Sequence, residues 1–168
     1  MNPMNQNAPS TLPNLYLIGF MGTGKSSAGK FASDKLGLKF LDSDQEIEKQ
    51  VGCTISQIFK SQGEEKFREL EKKFISSGHP ESGCLISCGG GLPLPKGMIE
   101  LIKSKGLVFA LWANPDTIFE RTKENKSRPL LQTEDPMAEI KSLLKKREKV
   151  YLQANQIISS EMRSTKQV

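Results

Sequence analysis

Gly19-Phe20-Met21-Gly22-Thr23-Gly24-Lys25-Ser26 satisfies the pattern G-x-x-x-x-G-K-[ST]. It lies between a short apolar run, Leu15 to Ile18, and a segment of helical spacing, Lys25 to Leu36, that Gly37 ends. Strand, glycine loop and helix in that order are the context the pattern requires. The glycines let the backbone wrap closely round a triphosphate with its N–H groups pointing inward, and the helix N-terminus adds partial positive charge. Lys25 is then placed to reach the β- and γ-phosphates, and the Ser26 hydroxyl to ligate Mg²⁺. A glycine turn that merely happens to precede Lys-Ser would give this pattern, in a chain of this length, on the order of once in a hundred. The stretch therefore reads as an ATP cradle made by Gly22, Thr23, Gly24, Lys25, Ser26 and Ser27. It leaves open whether the acceptor is water or a hydroxyl on a second substrate.

Beyond this loop, Leu38 to Leu41 reads as a second strand, and Gln45 to Val51 and Ile55 to Phe74 as helices with turn residues at Gly52 and Gly63. Cys84 to Cys88 is a third strand that runs into Gly89, Gly90 and Gly91. Met98 to Lys105 is a short helix with Gly106 as its stop, Leu107 to Trp112 a fourth strand, and Pro115 opens a helix through Lys123. A polar loop, Glu124 to Pro136, precedes helical spacing over Met137 to Leu152 and a last strand at Gln156 to Ser159. Wholly apolar strands alternating with helices imply an α/β fold with a parallel sheet covered on both faces.

The 168 residues, 36% of them hydrophobic, suit one domain, expected over residues 14–168. The opening MNPMNQNAPSTLP lacks a basic start and an apolar run, so residues 1–13 are expected to be a disordered tail and not a signal peptide. No stretch is apolar enough to span a bilayer. The +5 charge suits a nucleotide, and the basic residues are scattered without the stripe or aromatic motif of a nucleic-acid binder. Neither a nucleic acid nor a membrane is therefore an expected partner. Cys53, Cys84 and Cys88 have no metal or redox spacing, which suggests reduced thiols in the cytoplasm. His79, beside Pro80, reads as a surface turn residue.

Three further clusters bear on the acceptor. Leu41-Asp42-Ser43-Asp44 puts two carboxylates at a strand's carboxyl end, where open α/β sheets bind ligands. In Gly63-Glu64-Glu65-Lys66-Phe67-Arg68-Glu69-Leu70-Glu71, Arg68 and Glu71 share a helix face. The triple glycine again follows a strand's carboxyl end. Taken singly, each has a plain structural reading, as a helix cap by Asp44, an exposed ion pair and a turn.

In combination, GFMGTGKSS, FLDSDQEIE, GEEKFRELE, CGGG, RPLL, and Arg147 followed by Tyr151 resemble the shikimate kinase family over roughly Leu15 to Ser159. The resemblance implies a P-loop kinase fold, three-layer α/β/α, with a five-stranded parallel sheet in the order 2-3-1-4-5 and a mobile lid at about 124–136. It implies ATP and shikimate as substrates, with Asp44 orienting or deprotonating the attacked hydroxyl. Arg68 and Arg147 would clamp the substrate carboxylate, with Glu71 holding Arg68 in place. Backbone N–H groups of Gly89, Gly90 and Gly91 would meet the substrate and the γ-phosphate side, and Asp42 would support Mg²⁺ through water. Arg128, in the lid, would act as a cis arginine finger, and Arg121 would stack on adenine.

The family normally carries a helix after its last strand, whereas only Glu161 to Val168 follow here. Part of one sheet face is therefore expected to lack its usual cover, with Arg163 a candidate adenine contact from this end. A monomer is the expected state. The alternatives are another small-molecule P-loop kinase, acting on gluconate or a nucleoside monophosphate, and a nucleotide-binding switch with no small-molecule acceptor. Paired arginines favour a carboxylated acceptor and DSD a polyhydroxylated one. Against the switch, the third strand ends in Ser87-Cys88-Gly89 where such proteins carry an Asp.

Overall fold

The computed structural model describes residues 12–123 and 133–168. Five strands, β1 (Asn14–Gly19), β2 (Lys39–Asp42), β3 (Cys84–Ser87), β4 (Gly106–Trp112) and β5 (Gln156–Ser159), form one sheet in the order β2-β3-β1-β4-β5. Every pairing is parallel, so all five carboxyl ends lie along one edge. Among the described residues the helices are α1 (Lys25–Leu36), α2 (Ser43–Val51), α3 (Ile55–Ser77), α4 (Met98–Lys105), α5 (Pro115–Thr122) and α6 (Pro136–Tyr151). The α/β class and the strand order are those expected. Leu12 and Pro13, expected in the tail, already belong to the fold: Gly83 N–H donates to the Leu12 carbonyl and Pro13 bridges to Ser82.

The two faces of the sheet are unequal. On one, Tyr16, Ile18, Ile86, Val108 and Ala110 pack with Phe67, Phe74 and Ile75 of α3, Ile102 of α4, Ile118 of α5, and Ile140 and Leu144 of α6. Full burial of each large side chain stabilises the fold by about 1.5–3 kcal/mol. The other face is thin, with Leu17, Leu38 and Leu85 packed alongside Ala32 of α1. Leu107 pairs with Leu15 in the ladder and is 43% exposed.

Local chemistry moved several boundaries. Helix α2 begins at Ser43, two residues before the expected start, because Asp42, and not Asp44, is its cap: Asp42 Oδ1 accepts from the N–H groups of Asp44 (3.1 Å) and Gln45 (3.4 Å). Helix α3 starts from a reciprocal Thr54–Gln57 capping box and runs on through Gly63, which kinks it at φ 81 instead of ending it. Gly106 joins β4 as its first residue because it lies so close to the Asn14 backbone that a side chain would clash. His79 is half-buried, not a free turn residue: Tyr16 Oη lies 3.1 Å from its Nε2, and its ring meets Tyr16 and Phe74 edge-on.

Candidate active site

Because the parallel strands end together, their carboxyl tips bring the singled-out residues to one place. A cavity of about 390 Å³ is lined by Gly22, Gly24, Lys25, Ser26, Ser27, Asp42, Asp44, Ser87, Gly89, Gly90 and Arg121. A smaller one, about 200 Å³, is lined by Lys25, Asp44, Phe67, Arg68, Glu71, Gly89, Gly90, Gly91 and Arg147. Lys25, Asp44, Gly89 and Gly90 line both. A cationic amine and a carboxylate thus stand between a phosphate-sized glycine cradle and a chamber holding two guanidinium groups.

The cradle takes its shape from glycines. Gly22 (φ 77) and Gly24 (φ 91) lie in the left-handed region, and a Cβ on Gly22 would stand 2.8 Å from Thr122 Cγ2. Lys25 Nζ donates to the carbonyls of Gly19 and Phe20, at 2.9 Å each, curled over its own loop. Ser26 Oγ donates to Asp42 Oδ2 at 3.1 Å and lies 3.4 Å from the Ser87 hydroxyl. No group of three His, Cys, Asp or Glu side chains among the described residues could hold a metal. A hydroxyl beside a carboxylate is a hard-oxygen set that fits Mg²⁺ carried in by phosphates with most of its waters retained. Thr23 is turned away from the phosphate cavity, its hydroxyl donating to the Phe20 carbonyl at 2.8 Å. It lines a neighbouring hollow instead, with Arg121, Ser160 and Arg163.

Arg121 is fixed at the rim of the cradle. Its Nη1 donates to the Gly22 carbonyl (3.2 Å) and Ser160 Oγ (3.0 Å), and its Nη2 to the Ser160 carbonyl (2.8 Å).

In the smaller chamber, Arg68 Nη1 donates to Glu71 Oε2 at 2.7 Å, as expected. Glu64, which sequence reasoning missed, takes two more bonds from it, from Nη2 at 2.8 Å and Nε at 3.2 Å. Glu71 is 1% exposed, and burial pushes its carboxyl up to about 7 against the pull of Arg68. Asp44 is raised as well, first by burial, then by Asp42, with Lys25 opposing. Arg147 lies over the Phe20 ring, its Cζ 5.4 Å from the centroid.

The Gly89 N–H, expected to meet the substrate, donates to Ser43 Oγ at 2.9 Å, and that hydroxyl in turn lies 3.4 Å from Asp44 Oδ1. Ser43, fully buried in the middle of DSD, is therefore an unforeseen support for Asp44. Arg128 and most of the expected lid fall at 124–132, outside the described residues.

Against known proteins, the model of the shikimate kinase family matches residues 21–168. The shikimate kinase of Thermodesulfovibrio yellowstonii is 44% identical over 150 residues, covering 89% of this chain and 87% of that protein. The shikimate kinase of Persephonella marina is 44% identical over 155 residues, covering 92% and 93%. Among solved structures, the shikimate kinase from Acinetobacter baumannii in complex with shikimate matches with a TM-score of 0.86 at 36% identity, covering 95% of this chain and 90% of that one. A gluconokinase from Sinorhizobium meliloti matches with a TM-score of 0.57 at 12% identity, a likeness of fold alone.

Proposed function

Since this chain belongs to the shikimate kinase family, we propose that its two joined cavities hold MgATP and shikimate on either side of Lys25 and Asp44. The activity is that of a shikimate kinase, transfer of the γ-phosphate of ATP to the 3-hydroxyl of shikimate, giving shikimate 3-phosphate and ADP. What carries the residue assignment is that Lys25 and Asp44 line both cavities.

Arg68 and Arg147 grip the ring carboxylate, which aims the far hydroxyl at Asp44. An Asp44 carboxylate oxygen takes the hydroxyl proton as the alkoxide oxygen bonds to the γ-phosphorus and the bridging P–O bond to ADP breaks. The raised affinity of Asp44 for a proton makes it a better acceptor than an ordinary surface aspartate. Lys25 leaves its own loop carbonyls for the β- and γ-phosphates. The Ser26 hydroxyl, with Asp42 beside it acting through water, would hold Mg²⁺, which would supply neutralisation of phosphate charge. Gly22, Gly24 and Ser27 line the triphosphate, Arg121 holds the base, and Arg128 retains its expected role toward the transferring phosphoryl group.

A single chain is the proposed functional unit. No helix among the described residues is long and apolar enough to cross a membrane, and the three cysteines are free, which supports a cytoplasmic setting. ADP release from MgATP, followed with shikimate, gluconate or a nucleoside monophosphate as acceptor, tests the function. Release driven by shikimate alone is expected, and release without any acceptor or driven by gluconate would contradict it.

A further inference from the structure

Tyr151, at the end of α6, is 1% exposed and lines neither cavity. Its hydroxyl donates to the Gly90 carbonyl at 2.9 Å. It follows Arg147 by four residues, so the two side chains share one face of α6. Gly90 and Arg147 both line the smaller chamber, and Arg147 lies over the ring of Phe20, itself 1% exposed within the phosphate loop.

We infer that the Tyr151 hydroxyl is a positioning group for the acceptor half of the site, presetting the Arg147 guanidinium against the triple-glycine loop before a substrate carboxylate arrives. The inference rests on the reading of Arg147 as a carboxylate clamp. A phenol oxygen donates one hydrogen bond and accepts others, so it can give its proton to Gly90 while accepting from the guanidinium. Burial raises the Tyr151 pKa, with Arg147 beside it opposing, so the phenol remains a donor across the working pH range. An arginine lying over an aromatic face, with a fixed hydroxyl one turn further along its helix, has less rotamer freedom to lose, so substrate binding has less to order. Phe20 belongs to the nucleotide loop and Gly90 to the acceptor loop. The same contacts therefore register the clamp against both halves of the reaction.

Tyr151→Phe keeps the buried ring and removes one oxygen. The KM for shikimate should rise roughly three- to tenfold while the KM for ATP stays where it was, and the Gly90 carbonyl left without its donor should lower the melting temperature by no more than a few degrees. Arg147→Ala alone should raise the shikimate KM, and adding Tyr151→Phe in that background should raise it no further. An unchanged shikimate KM in Tyr151→Phe, or a parallel rise in both KM values with a larger fall in Tm, would overturn the inference and leave Tyr151 a packing residue. A full further rise in the Arg147→Ala background would overturn it too, because the hydroxyl would then act independently of Arg147. If Arg147→Ala left shikimate binding intact, the clamp reading would fall first and the inference with it.

Discussion

The Asp44 carboxylate lies so close to the backbone of Gly89 that a Cβ built there would stand 2.6 Å from Asp44 Oδ1. Gly89 is not in the left-handed region, so alanine there meets a steric conflict and no dihedral strain. Gly90 next to it has room, the nearest atom being the Gly19 carbonyl oxygen at 3.6 Å. Gly89→Ala should therefore fold normally yet lose kcat on the order of a hundredfold by displacing Asp44, with Gly90→Ala far milder. Steady-state kinetics on the pair checks this, and equal losses would show that the Asp44 contact is not what matters.

Glu64 occupies two of the Arg68 N–H groups that a substrate carboxylate would use. Its side chain is 64% exposed, and such pairs contribute about 0.3–0.5 kcal/mol. Glu64→Gln should leave Tm nearly unchanged and lower the KM for shikimate about twofold, because no resident carboxylate then competes. A raised KM would mean that Glu64 aims Arg68 and does not compete for it.

Glu71 makes stability depend on pH in a definite direction. Its folded pKa, about 7, is raised above the ordinary 4.5, so the protonated form is favoured by folding. That contribution is present in full below about pH 4.5 and is lost as pH rises through 7, amounting to roughly 3 kcal/mol at most. Asp44, also raised by burial, tilts the curve the same way. Thermal melts between pH 4.5 and 8 should show a decline in Tm with pH that Glu71→Gln flattens. An identical slope in the variant would assign the titration elsewhere.

Much of this was legible in the sequence. The phosphate loop announced itself by local pattern, as did the strand tips at Asp44 and Gly89, and Arg68 with Glu71 by helical spacing. What stayed hidden depends on tertiary register. Ser87 reaches Ser26 because Asp42 and Ser87 are ladder partners, a pairing that no local spacing announces. Arg121 finds Ser160, 39 residues away, and His79 finds Tyr16, 63 residues away, through sheet topology alone. Ser43 and Tyr151 did carry a faint signal, the first lying between two singled-out carboxylates and the second four residues beyond Arg147. Their hydrogen-bond partners Gly89 and Gly90, however, lie 46 and 61 residues away in sequence.

Asp44, on the wall shared by the two cavities, is the group proposed to take the proton of the attacked hydroxyl. Asp44→Asn keeps the size and removes the base, so measuring kcat together with ATP affinity isolates that role. If Asp44 is that base, kcat should fall about 10²–10⁴-fold with the Kd for ATP nearly unchanged. Wild-type turnover in this variant would contradict it.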